Sequence, residues 1–189
     1  MGRMGPICHI SPIGPVRSIK KPMAELLLHP FTLPLAHPFT ISRGTITSKL
    51  TLIVELRHGG LSGFGEATEN EYYGVTIAGM AAAIERVRPQ IVAYEGTEPA
   101  EFWNSVSALL AADPFAHCAV DEAAHDLWGK LLGRPVYELW GLATENLPLS
   151  SYTIGLDTLP IMVEKLLERP GWPVYKIKLG TPEDLDIVR

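Results

Sequence analysis

Between Met23 and Ala67 the apolar positions recur with the two-residue period of β-strands. Ala24 to Leu33 reads as one strand, the Pro34 to Pro38 region as a connection, and Phe39 to Arg43 as extended chain before Gly44 begins a loop. Ser48 to Leu56 alternates Leu50, Leu52, Val54 and Leu56 against outward partners. His58-Gly59-Gly60 then turns the chain into Leu61 to Ala67. Three antiparallel strands are predicted. The period next lengthens to that of a helix. Ile77, Met80, Ile84, Val87 and Ile91 fall on one stripe between Val75 and Tyr94, with Pro89 as a kink point. Pro99 to Ala112 carries Phe102, Val106, Leu109 and Leu110. A third helix opens at Asp113 or Pro114, runs to about Leu132 and is stopped by Gly133. Its face is built from Ala116, Ala119, Val120, Ala123, Ala124, Leu127 and Leu131, and the small residues permit close approach of another element. Strands followed by a run of helices describe an α+β domain.

After Gly141 the pattern becomes β-α-β-α. Leu147 to Ile154 is a short strand, Asp157 or Thr158 caps a helix through Leu167, and Val174 to Leu179 is a second strand. Thr181-Pro182-Glu183-Asp184 then has the chemistry of a helix start, with a capping hydroxyl, a proline and first-turn acids. A (β/α)8 barrel takes roughly 250 residues. This stretch is therefore expected to be the opening of a truncated barrel, and the chain a piece of something longer.

Two lysines in that apolar strand change the picture. Side chains alternate along Val174-Tyr175-Lys176-Ile177-Lys178-Leu179, so Lys176 and Lys178 share one face and Tyr175, Ile177 and Leu179 the other. Parallel strands are normally covered on both faces. Two ammonium groups in an enclosed place each lower the other's pKa, which is how a lysine becomes a base near neutral pH. A strand with one wet face, or lysines at a rim, is the plain alternative.

Composition narrows the classes of function. Hydrophobic residues make up 47% of the 189 residues, enough for a real core. The net charge of −5 argues against nucleic acid as a partner. Cys8 and Cys118 form no motif, which fits a reducing, cytoplasmic setting, and no apolar run reaches the roughly 18 residues of a membrane span. Residues 1–22 hold four basic residues and no acids, and read as a disordered extension ahead of Met23. His117 and His125 are eight apart and make no i, i+4 metal pair. Asp121, Glu122 and Asp126 read as structural or solvated, and Glu66, Glu69 and Glu71 as a wet loop. Tyr72 and Tyr73 read either as part of a lid over a site or as ordinary exposed loop aromatics, and are not counted among the site residues.

Ala116 to Lys130 (AHCAVDEAAHDLWGK), followed by Gly133-Arg134-Pro135-Val136 and Leu139-Trp140-Gly141, resembles the signature helix of the mandelate racemase and muconate lactonizing group of the enolase superfamily. Trp140 departs from the smaller aliphatic usual there. Three further matches look like dipeptide epimerases of the L-Ala-D/L-Glu type: Phe39-Thr40-Ile41-Ser42-Arg43-Gly44, Gly63-Phe64-Gly65-Glu66-Ala67 and Ser151-Tyr152-Thr153-Ile154-Gly155. The resemblance covers 23–189. It implies a capping domain over 23–141 and the start of a (β/α) barrel over 142–189. By the resemblance, Lys178 is the acid/base that moves the proton α to the substrate carboxylate, and Lys176 lowers its pKa and touches that carboxylate. Thr153 contacts the dipeptide, and Arg43 reaches a substrate carboxylate from the capping domain. The family's cofactor is Mg2+, with ligands on later strands and none in this chain. The expected partners are a small-molecule substrate and, at full length, further copies of the same chain, with neither nucleic acid nor membrane. Racemases of N-acylamino acids and muconate-type cycloisomerases are the related alternatives. A non-catalytic remnant able only to contact other subunits is the alternative of another class.

Overall fold

The coordinates are a computed structural model that describes residues 24–189. The extension expected over residues 1–22 lies outside the described residues. Strands β1 (Glu25–Ile41), β2 (Gly44–His58) and β3 (Leu61–Thr68) form an antiparallel sheet in the order β1-β2-β3. The expected connection at Pro34 to Pro38 is instead a register shift within one continuous strand. β1 lies on the sheet edge, where a proline's missing N–H breaks no ladder. Gly44 likewise opens β2 rather than a loop, because Ser42 and Arg43 alone make the turn. Leu52, Val54 and Leu56 are fully buried as the alternation requires, but Leu50 is exposed, since β2 there runs out beyond the helices.

Helices α1 (Ile77–Arg86), α2 (Arg88–Val92), α3 (Pro99–Ser107), α4 (Pro114–Leu132) and α5 (Val136–Leu139) follow. The single helix expected over 75–94 is divided at Val87, where Pro89 lacks the N–H that would continue the ladder. Ile84, Val87, Ile91, Val106, Val120 and Leu127 meet Leu52, Val54 and Leu56 in one core.

The sheet and α4 approach closely. A Cβ on Gly63 would collide with the Ala123 carbonyl, and one on Gly65 with that of Ala119. Two acids of α4 then reach the free edge of β3. Asp126 Oδ2 accepts from the Phe64 N–H at 2.8 Å, and Glu122 Oε2 from the Glu66 N–H at 3.0 Å. Of the structural and solvated readings, the structural one holds for these two: they satisfy edge donors that would otherwise be open to pairing with another chain.

The remainder is β4 (Ser151–Ile154), α6 (Leu159–Leu167), β5 (Val174–Ile177) and α7 (Asp184–Ile187), with β4 and β5 paired in parallel. These elements are shorter than their sequence patterns. α7 begins late because the Asp184 carboxylate turns back to accept from the Gly180 and Thr181 N–H groups at about 3 Å. Among the described residues, no helix is long and apolar enough to cross a membrane.

Candidate active site

The strand register decides what the C-terminal ends of β4 and β5 present. Thr153 pairs with Lys176 and Ile154 with Ile177, and the Lys178 N–H donates to the Ile154 carbonyl at 3.0 Å. Alternation then sets Thr153, Lys176 and Lys178 on one face. The other face carries Ile154 and Ile177 against Leu159, Met162 and Leu166 of α6. The structure thus brings together three of the four residues singled out from the sequence. It does not provide the expected enclosure: Lys176 is exposed and Lys178 half-buried, because no described element lies over that face. Among the described residues, neither ammonium group has a hydrogen bond or an ion pair.

The fourth residue arrives from the turn between β1 and β2 of the three-stranded sheet. The Leu156 N–H donates to the Thr40 carbonyl at 3.0 Å. A Cβ on Gly155 would lie 3.3 Å from Thr40 N, and one on Gly180 3.1 Å from Ser42 Cβ. The tip of the β1–β2 hairpin is therefore seated on the two segments that directly follow Thr153 and Lys178. Arg43 is the next residue after Ser42. The tip is shaped by Gly44, whose φ of +146° a side chain would rarely adopt, and by a 2.9 Å hydrogen bond between the Thr40 and Thr45 hydroxyls.

Arg43 lines an open cleft of about 820 Å³ with Phe39, Lys49, Glu69, Glu71 and Tyr72. Thr153, Lys176 and Lys178 do not line it. Its guanidinium stands 4.9 Å from the centroid of the Tyr72 ring. Tyr72 was not among the site residues expected from the sequence. Its signal was a turn bracketed by Asn70 and Gly74: the Asn70 side chain caps a one-turn 3-10 helix at Glu71–Tyr73, and Gly74 closes it at φ +67°. The neighbouring acids are engaged rather than wet. Glu66 accepts from the Thr51 hydroxyl at 2.6 Å, and Glu69 from the Ile77 N–H at 3.3 Å.

Below the hairpin tip, buried Lys165 of α6 meets Asp157 at 3.1 Å and fixes the segment after β4. The Thr158 N–H, then Lys165, hold the Asp157 carboxyl below the ordinary range. On the far side of α4, His117 is buried, stacks on Trp103 at 3.6 Å, and has its pKa pushed down by burial. His125 bonds the Asp121 carbonyl at 2.9 Å. Neither belongs to the strand-end site. Among the described residues, no group of three or more His, Cys, Asp or Glu can hold a metal ion.

The family model for the mandelate racemase / muconate lactonizing enzyme N-terminal domain matches residues 23–141. The chain belongs to this family. It is the mandelate racemase and muconate lactonizing group of the enolase superfamily, and the three-stranded sheet with its helices fits the family's capping domain. Over 165 residues the chain is 46% identical to an L-Ala-D/L-amino acid epimerase of Flavobacterium johnsoniae, covering 87% of this chain and 49% of that one. It is 33% identical to an L-Ala-D/L-Glu epimerase of Bacteroides thetaiotaomicron, covering 87% of this chain and 43% of the relative. A dipeptide epimerase of Enterococcus faecalis, solved with Mg and the dipeptide L-Leu-L-Tyr, superposes with a TM-score of 0.73 at 30% identity, covering 88% of this chain and 48% of the other. The family is one of isomerases. The chain spans about half the length of the curated relatives it matches.

Proposed function

We propose that this chain forms part of a dipeptide epimerase of the L-Ala-D/L-Glu type, with residues 142–189 opening a (β/α) barrel under the capping domain. The observation that carries the reading is the shared face of Thr153, Lys176 and Lys178 at the strand ends, with the Arg43 hairpin seated beside it. In barrel enzymes the C-terminal strand ends are where reacting groups are held.

Lys178, the better shielded of the two lysines, takes or returns the proton α to the substrate carboxylate. Lys176 stands beside it as a cationic partner for that carboxylate. Thr153 offers a hydroxyl to the dipeptide backbone across the register from Lys176. Arg43 offers two parallel N–H donors to a second carboxylate, the geometry in which a guanidinium binds best. A proton next to a carboxylate is so weakly acidic that the enediolate left behind needs a divalent cation. Solved neighbours are complexed with Mg, but the described residues contain no group able to hold it. We assign both the metal ligands and the opposing acid/base to positions beyond these residues.

The test is solvent deuterium exchange. Residues 1–189 with Mg2+ and L-Ala-D/L-Glu in D2O should put no deuterium at the α-carbon, because one base suffices for exchange but the enediolate it leaves needs a metal site that the described residues lack. Measurable exchange would overturn this division of the machinery.

A further inference from the structure

We infer that Tyr72 is a positioning residue that holds the Arg43 guanidinium ready for a substrate carboxylate, an assignment that rests on the reading of Arg43 above. The guanidinium lies over the Tyr72 ring at 4.9 Å from its centroid, at the lip of the cleft that both residues line. An arginine stacked on a ring spends its face on the aromatic and keeps its N–H edge for a planar anion. Glu69 and Glu71 line the same cleft, yet among the described residues Arg43 has no ion pair, so its charge is left for a ligand.

The platform itself is anchored. Asn70 Oδ1 accepts the Tyr72 N–H at 3.1 Å, and Asn70 exchanges two backbone hydrogen bonds of 2.9 Å with Val75. The Tyr73 ring meets Tyr72 edge-on at 4.9 Å and packs 5.9 Å from Phe115 near the start of α4. Phe115 packs against the buried core. A line of contacts therefore runs from the core through Tyr73 and Tyr72 to Arg43. The hairpin tip by itself gives Arg43 only a two-residue turn closed by Gly44. Arginine carries several rotatable bonds, and ordering them before the ligand arrives reduces what binding must spend on side-chain entropy. The ring of Tyr72 is what matters here, and its hydroxyl has no part in the contact.

The experiment uses the full chain with guanidinium nitrogens observed by NMR, the Arg43 signal being assigned by its loss in Arg43→Lys. In the wild type the Arg43 signal should carry a ring-current shift and move on titration with L-Ala-L-Glu. Tyr72→Phe should keep both properties. Tyr72→Ala should lose the ring-current shift and weaken the dipeptide about two- to fivefold, the range of an exposed cation–π contact. Because Tyr72 is 72% exposed, its removal should leave the thermal midpoint unchanged, which separates positioning from a structural role. Equal affinity in Tyr72→Ala and wild type, with Arg43→Ala weakened, overturns the platform and leaves the carboxylate reading standing. Equal affinity in Arg43→Ala and wild type, or no movement of the wild-type signal, overturns the carboxylate reading and the platform with it.

Discussion

In the capping sheet, α4 lies so close that Gly63 and Gly65 have no space for a Cβ, and acids of the helix satisfy the edge N–H groups of β3. In the β4–β5 pair, Lys176, Ile177 and Leu179 are exposed, as are Leu147 and Leu149 before it. One region is covered on its inner face by its own helices. The other leaves its lysine face to solvent and is only partly covered by α6 on the opposite face, where Ile177 and Leu179 stay exposed. The contrast separates two jobs. Stability is concentrated where helix and sheet interlock, and the groups proposed for chemistry stand where described packing is thinnest. The hairpin tip that carries Arg43 is the joint between the two.

The largest effect should come from breaking the interlocked side. Gly65→Ala puts a methyl into the Ala119 carbonyl, so α4 must move, and the loss should be about 3 kcal/mol. Gly171→Ala is the matched control in the open region. Nothing lies within 4 Å of its added Cβ, and only the backbone strain at φ +75° remains, about 1 kcal/mol. Urea unfolding of both variants measures the difference, and equal losses would mean that α4 is not seated on β3 as described.

Glu55 gives the next effect. It lies on the sheet face away from the helices, 5% exposed, and accepts from Arg57 at 2.7 Å, Ser62 at 2.8 Å and His29 at 2.8 Å. Arg57 above all, with Ser62 and His29, holds its pKa at about 2 instead of 4.5, against the opposing effect of burial. A folded pKa below the unfolded one means stability that is present above about pH 4.5 and lost as the pH falls through about 2. The amount is on the order of 3 kcal/mol. Thermal melts from pH 6 down to pH 2 should show this decline, and Glu55→Gln should be less stable at pH 6 and lose less on acidification. An unchanged slope in Glu55→Gln would remove Glu55 from the account.

A smaller loss is expected at the edge of β3. Asp126→Ala removes the acceptor of the Phe64 N–H and the 2.6 Å partner of Lys130. The exposed setting limits the cost to about 1 kcal/mol, read from the urea midpoint. Smallest of all is Leu147→Ala, which should change stability by less than about 0.5 kcal/mol because the side chain is 68% exposed. A loss as large as that of a core leucine would show that the open region is packed after all.

Much of this contrast was legible in the sequence. The alternation of Leu52, Val54 and Leu56 and the small-residue face from Ala116 to Leu127 placed strands, helix and core, because both partners of each contact lie within the chain. Lys176 and Lys178 were legible as a same-face pair for the same reason: period two needs no tertiary knowledge. What failed needed three dimensions. The prolines of β1 read as a connection, since nothing in the sequence says that the strand is an edge. Asp126 and Glu122 read as structural or solvated with no partner named, because their partners are backbone N–H groups about 60 residues away. Tyr72 was passed over because its partner Arg43 sits on a separate hairpin. The covered lysine face was expected from the habit of parallel sheets, and described residues do not supply the cover.

The central claim is that Lys178 moves the α-proton. It is tested most directly in a chimera in which residues 24–189 replace the matched half of the Flavobacterium johnsoniae relative, shown by circular dichroism to be folded. Incubated in D2O with Mg2+ and, separately, the two epimers of an L-Ala dipeptide, the chimera should incorporate deuterium at the α-carbon of each, and Lys178→Ala should lower the rate for the epimer whose proton faces Lys178 by at least about 100-fold. Undiminished rates with both epimers in Lys178→Ala would contradict the account.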